Sequence, residues 1–296
     1  MWQHPTVSEL EWSSTPGDGA EGGAPGLRRP LVVLAFRGLF DAGDAATNAV
    51  EWLVGRRDGR RLARIDPEGF FDFQQQRPIV QVTPSGGREI LWPYNDFVGI
   101  TSTGTRDLVL CAGYEPHLRW RTFGSYVLDV VRRYDAEMVV TLGSMVGLVP
   151  HTRPLPVTGS AANPDLARRL GLDSPSYEGP TGVVGTLHDM LDAQDIPVIS
   201  LRVAVPHYVP APPNPKATAT LLRRFEQVTG IPTGFRELEP AGNDWQQQVS
   251  TVAADDPQVV GYVRRLEEQY DEEAPLPSGD DLAAELEAFL RDQRDD

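Results

Sequence analysis

A chain of 296 residues with 40% hydrophobic and 23% charged side chains holds enough apolar matter for one large core or two modest ones. Its formal net charge of -15 disfavours a polyphosphate partner, and its single cysteine, Cys111, excludes an internal disulfide and a thiolate zinc site. No apolar run approaches the roughly 20 residues needed to cross a bilayer, and Met1 to Pro5 lacks the basic and apolar regions of a secretory signal. A cytosolic protein with neither nucleic acid nor membrane among its partners is therefore expected.

The charge is uneven. Between Asp255 and Asp296 the sequence carries 14 acidic residues against four arginines, which reads as the solvated surface of a helical appendage. Lys216 is the only lysine and follows Pro-Asn-Pro, a helix-start setting.

Residues 1–27 are rich in Gly, Ser and Pro and are expected to form a flexible tail. Leu31 to Phe36 is a continuous apolar run of strand length, the pattern of a strand covered on both faces. Ala42, Ala45, Ala49 and Leu53 then follow at helical spacing, with Asp41 or Asp44 placed to cap the helix. A short strand is expected at 62–65. The β-rich runs at 79–83 and 88–92, around Pro84-Ser85-Gly86-Gly87, predict a hairpin whose edges need covering. Strand 107–112, helix 119–134 and strand 138–142 resume the alternation.

A loop is expected over 143–159, then short helices at 164–170 and 186–194, a strand at 197–205 and a helix at 214–229. Strands alternating with helices force parallel pairing with right-handed crossovers, so the fold class is α/β: a three-layer α/β/α sandwich with a mostly parallel sheet, a hairpin insertion and a C-terminal helical appendage. The domains are a tail at 1–27, a core at 28–238 and a helical lid at 239–296. Pro257 behind Asp256 starts one amphipathic helix, with the apolar stripe Val259, Val260, Val263 and Leu266. Ser278 to Asp281 precedes another, with Leu282, Leu286, Phe289 and Leu290.

Ligands of open parallel sheets bind beyond the strand C-termini, where loops and helix N-termini converge. The segments that follow the expected strands supply Arg37, Asp41, Glu115, His117, Ser144, His151, Arg153 and His207. Of these, Arg37, Asp41, Glu115, Ser144, His151, Arg153 and His207 are candidates to line one pocket. Pro150 and Pro154 stiffen the loop that carries His151 and Arg153. Each candidate has a structural alternative: Asp41 as a helix cap, Glu115 as a partner of an arginine, the histidines as satisfied core or surface groups. Leu142-Gly143-Ser144-Met145-Val146 lacks the G-x-S-x-G elbow, and Gly179 to Gly185 lacks the phosphate-loop patterns. No metal or cofactor is called for.

Five stretches together resemble one known group. They are Gly38 with Asp41-Ala42-Gly43, Gly113-Tyr114-Glu115-Pro116, Thr141-Leu142-Gly143 leading to Val149-Pro150-His151-Thr152-Arg153-Pro154, Tyr177-Glu178-Gly179-Pro180-Thr181-Gly182, and Pro206-His207-Tyr208. In this order and spacing they are similar to the proteasome-assembly-chaperone-like family, in its longer actinobacterial branch, over about Leu31 to Thr229. The resemblance implies a core like that of purine nucleoside phosphorylases, homo-oligomers through the hairpin with trimers favoured, and C-terminal helices lying as a lid over the pocket. Chaperone members often end in a hydrophobic-Tyr-X tail that docks on proteasomes; Arg291 to Asp296 does not match it. The leading expectation is an oligomeric binding or assembly protein, with a protein partner and a pocket for a small anion near Arg37, His151 and Arg153. The alternative is a hydrolase-like or phosphorylase-like enzyme on a nucleoside-like or carboxylate substrate. In that reading Glu115 or Asp41 serves as acid/base, and His151 or His207 orients it.

Overall fold

The computed structural model describes residues 8–13, 26–102 and 104–273. The apolar run at its centre becomes strand β2 (Leu31–Arg37), flanked in the sheet by β7 (Leu108–Tyr114) and β8 (Met138–Gly147), with β10 (Val198–Pro206) beyond β8. These four strands are mutually parallel. Antiparallel pairing is confined to the flanks: β6 (Asn95–Ile100), β3 (Arg60–Ile65) and β1 (Leu10–Trp12) on one side, β9 (Val157–Ala161) on the other.

Helices cover both faces, because side chains of a buried strand alternate between them. Leu31, Val33 and Ala35 pack under α1 (Ala45–Gly55) and α5 (Pro215–Thr229), and α3 (Pro164–Leu170) joins the same core. Val32, Leu34 and Phe36 pack under α2 (Trp120–Arg133) and α4 (Val183–Asp192). The result is the expected three-layer sandwich with a mostly parallel sheet. Behind α5 lie α6 (Glu239–Ala254) and α7 (Pro257–Glu273). Gly242 of α6 packs so close to α5 that an added Cβ would sit 3.2 Å from Lys216 Cα.

The structure corrects four local expectations. Within the segment read as a tail, Leu10–Trp12 is a strand: Leu10 is buried against β3, Trp12 stacks on Tyr134 under Arg133, and Glu9 pairs with Arg119. The loop expected from residue 143 begins later, since β8 continues to Gly147, and β9 closes the sheet edge from Val157 although Val157-Thr158-Gly159-Ser160-Ala161 carries no apolar run. β6 was not anticipated. Along α7, Val263 and Leu266 are buried as the stripe implies, whereas Val260 is 47% exposed. The helix start at 278–281 and its apolar residues lie outside the described residues.

The hairpin is present as β4 (Ile79–Val82) and β5 (Arg88–Leu91), antiparallel and joined through Pro84 to Gly87. It does not extend the main sheet. It forms a separate two-stranded ribbon, and all of its strand residues are exposed.

Candidate functional site

The seven candidate residues all lie at or just beyond the C-terminal ends of the parallel strands, but in three separate environments. Asp41 and Ser144 form the innermost one. Asp41 accepts hydrogen bonds from the backbone N–H groups of Ala46 and Thr47 at 2.8 and 3.2 Å and from the Thr47 hydroxyl, so it caps α1 from outside the helix. Ser144 Oγ donates to Ala42 O at 2.9 Å. Burial raises the Asp41 carboxyl above its ordinary range, while these donors oppose the shift. Gly43, at φ 66°, abuts Asn214, whose Oδ1 caps α5 at Ala217 N.

Glu115 and Arg37 form the second environment, beside the ends of β7 and β2. Glu115 Oε2 accepts from Leu39 N–H at 3.1 Å and Oε1 from Val183 N–H at 3.3 Å, joining the β2 exit to the N-terminus of α4. A side chain at Gly38 would meet Glu115 Oε2 at 2.6 Å, and Gly38 has φ 153°, a region that favours glycine. Arg37 pairs with Glu51 at 2.6 Å and lies over the Tyr114 ring. A depression of about 500 Å³ opens here, bordered by Arg37, Gln75, Tyr114, Glu115, His117 and Trp120. His117 Nδ1 accepts from Asp72 N–H at 3.0 Å.

His151, Arg153 and His207 form the third environment, and their partners are largely the C-terminal helices. His151 donates its N–H to Tyr208 Oη at 2.8 Å, and its Nδ1 lies 2.7 Å from the same oxygen. The other ring nitrogen, Nε2, lies 3.0 Å from Ser250 Oγ of α6. Burial and the nearby Lys216 lower the His151 imidazole below its ordinary value. His207 donates from Nδ1 to Gly147 O at 3.1 Å and accepts at Nε2 from Tyr262 Oη of α7 at 3.0 Å. Arg153 makes a two-pronged pair with Asp271, both bonds 2.8 Å, and also reaches Glu267 at 3.3 Å. Thr152 donates to Glu267 as well.

The single pocket expected from the sequence is thus divided. Neither His151 nor His207 has Glu115 or Asp41 among its hydrogen-bond partners, and the two guanidiniums expected at one anion site are taken up by carboxylates of this chain. Among the described residues, no three His, Cys, Asp or Glu side chains converge as metal ligands would, and no helix is long and apolar enough to cross a membrane.

Residues 35–253 match the PAC2 family. The chain belongs to the PAC2 family. A PAC2 family protein from Streptomyces avermitilis is 43% identical, with a TM-score of 0.73 over 79% of this chain and 99% of that one. A Mycobacterium tuberculosis proteasome-assembly chaperone homologue, Rv2125, is 38% identical, with a TM-score of 0.72 over the same shares. Pyrococcus furiosus PbaB, an archaeal proteasome activator, shares the fold at 16% identity and a TM-score of 0.61, over 77% of this chain and 95% of that one. No curated protein sequence matches. The PAC2 match ends at residue 253, so α7, which supplies the partners of His207 and Arg153, falls outside it.

Sequence reasoning missed most of those partners. Lys216, noted in the sequence as the only lysine and as part of a helix start, sends Nζ to His151 O at 2.6 Å, Arg153 O at 2.9 Å and Gln246 Oε1, tying the 148–156 loop to α6. Burial lowers its ammonium to about 8. Glu267 and Asp271, four residues apart, share one face of α7, a signal present in the sequence but hidden among its many acidic residues.

Proposed function

We propose that the protein is a cytosolic, self-associating assembly factor for proteasome-type complexes, a trimer whose subunits meet through the β4–β5 ribbon. The observation that carries this reading is the ribbon itself. Ile79, Val82 and Ile90 are 57, 73 and 54% exposed on a two-stranded element that has no third strand, and such an element is marginal in water without a surface to pack on. The assembly role draws its support from the relative described as a proteasome-assembly chaperone homologue. The α6–α7 pair acts as a cover over the His151 and His207 loops.

The competing enzymatic reading rests on the depression at Arg37 alone, since the histidines expected to orient an acid/base carboxylate point to Tyr208, Ser250 and Tyr262 instead. Light scattering on the purified chain tests the assembly reading. The wild type is expected at three times the chain mass and a Val82→Asp, Ile90→Asp variant at one. A wild type that stays monomeric and captures no stable protein partner would overturn it.

A further inference from the structure

Leu201 and Val203 of β10 point into the core under α5, so Arg202 projects from the opposite face of the sheet. Its register partners are Gly143 on β8 and Thr158 on β9. The stem of Arg202 crosses Gly143, where an added Cβ would lie 3.3 Å from its Cγ. On the same face Met145, two residues along β8, is 42% exposed, and Thr158 is exposed too. Arg202 is thus half-buried on a stretch of sheet that remains open at its C-terminal edge.

Its hydrogen bonding is nearly empty. Among the described residues the guanidinium makes one contact, from Nη2 to Ser160 Oγ at 3.5 Å, the outer limit for such a bond. A guanidinium carries five N–H donors. Ten other arginines pair with carboxylates: Arg28, Arg29, Arg37, Arg56, Arg64, Arg106, Arg119, Arg153, Arg168 and Arg264. Arginines outside these pairs, such as Arg61, Arg77 and Arg121, are exposed to solvent, whereas Arg202 is half-buried. Desolvation lowers the pKa of the Arg202 guanidinium below its ordinary value, and no carboxylate offsets it. Lys216 is the instructive contrast: it also lacks a carboxylate, but each of its three donors has an acceptor. A cation removed from water without partners costs free energy, and a ligand that supplies them restores it.

We propose that Arg202, with the buried Ser160 beside it, forms a carboxylate-binding site on the stretch of β10 and β9 that is open at Met145 and Thr158. The guanidinium fork matches the two oxygens of a carboxylate, and Ser160 Oγ has a proton to add. The carboxylate belongs either to an acidic residue of a bound polypeptide, whose neighbouring side chain would rest on Met145, or to a small free acid. The site lies apart from the ribbon and does not depend on self-association.

Thermal melting of the full chain tests it, with N-acetylglutamate and the peptide acetyl-Glu-Leu-Glu-Leu-amide as probes at matched ionic strength. In buffer without carboxylates, Arg202→Met is expected to melt above the wild type, because an unpartnered cation has been removed. Both probes should raise the wild-type melting temperature in a saturating manner and leave the variant unmoved. A peptide effective at about tenfold lower concentration than the free acid assigns a polypeptide occupant, and equal potency assigns a small acid; either upholds the site. Should Arg202→Met not fold, Ser160→Ala with calorimetric titration of the wild type replaces it, and a weakened but saturable heat is expected. Probes that shift wild type and variant alike, or give no saturable heat with the wild type, would overturn the proposal.

Discussion

The phenol oxygen of Tyr208 serves His151 twice, accepting its backbone N–H at 2.8 Å and meeting its Nδ1 at 2.7 Å. One side chain therefore holds both the loop and the ring, and the ring's other nitrogen is committed to α6 through Ser250. With Tyr262 on His207 and Asp271 on Arg153, the strand edge becomes an anchorage for the C-terminal helices.

That anchorage has a built-in reporter. Lys216 is the only lysine, and its amine lies between the 148–156 loop and α6. Tyr262→Phe combined with Arg153→Ala removes a hydrogen bond worth about 1 kcal/mol and the two-pronged pair. A succinimidyl ester should then modify Lys216 several-fold faster than in the wild type, read by mass spectrometry. An unchanged rate would mean that Val263 and Leu266 hold the helices by packing alone.

His188 provides a pH signature. It lies on α4 with Nε2 at 2.8 Å from Thr141 Oγ1, and burial together with Arg202 pushes its imidazole down to about 4. An unfolded histidine titrates near 6.5, so as pH falls the unfolded chain takes up the proton first. Stability from this group is whole above about pH 6.5 and falls away towards pH 4, by roughly 3 kcal/mol in all. His188→Gln should flatten that part of the stability profile, measured by urea unfolding between the two limits. An undiminished slope would assign the acid sensitivity to other groups.

Gly113 is required by its neighbour. A Cβ there would lie 1.7 Å from Asn95 Oδ1, which accepts the Tyr114 N–H at 2.9 Å. Gly113→Ala should displace Asn95, orphan that amide and destabilise the fold by about 2–4 kcal/mol in urea unfolding. Gly55→Ala, with nothing within 4 Å of the new Cβ, is the control and should be neutral or mildly stabilising.

The central fold was legible because burial on both faces leaves a direct mark: the apolar runs at 31–36, 108–112 and 138–142 and that of β10 all became parallel strands. Helix ends with explicit chemistry were equally plain. α3 runs from Pro164 to Leu170 between the Asn163 cap and Gly171, and α7 starts at Pro257. Elements held by pairing rather than by their own apolar content were not. β9 exists because β10 offers it an edge, and β1 because Trp12 and Glu9 find partners on α2 and beside it. The site shows the same divide. The sequence placed its candidates on one edge of the sheet, but what His151, Arg153 and His207 touch depends on α6 and α7, about 100 residues further along for His151 and Arg153. A charged residue that follows a strand reads the same whether it faces solvent or a helix from elsewhere in the chain.

Self-association through the ribbon is tested most directly by hydrogen exchange of residues 79–91 at a series of protein concentrations. The amides of a ribbon exposed on both faces exchange fast in a lone subunit and slowly once a second copy covers them. Protection in this segment is expected to rise with concentration while that of β2 and β8 stays constant. Exchange over 79–91 that remains fast at every concentration would contradict the assembly account.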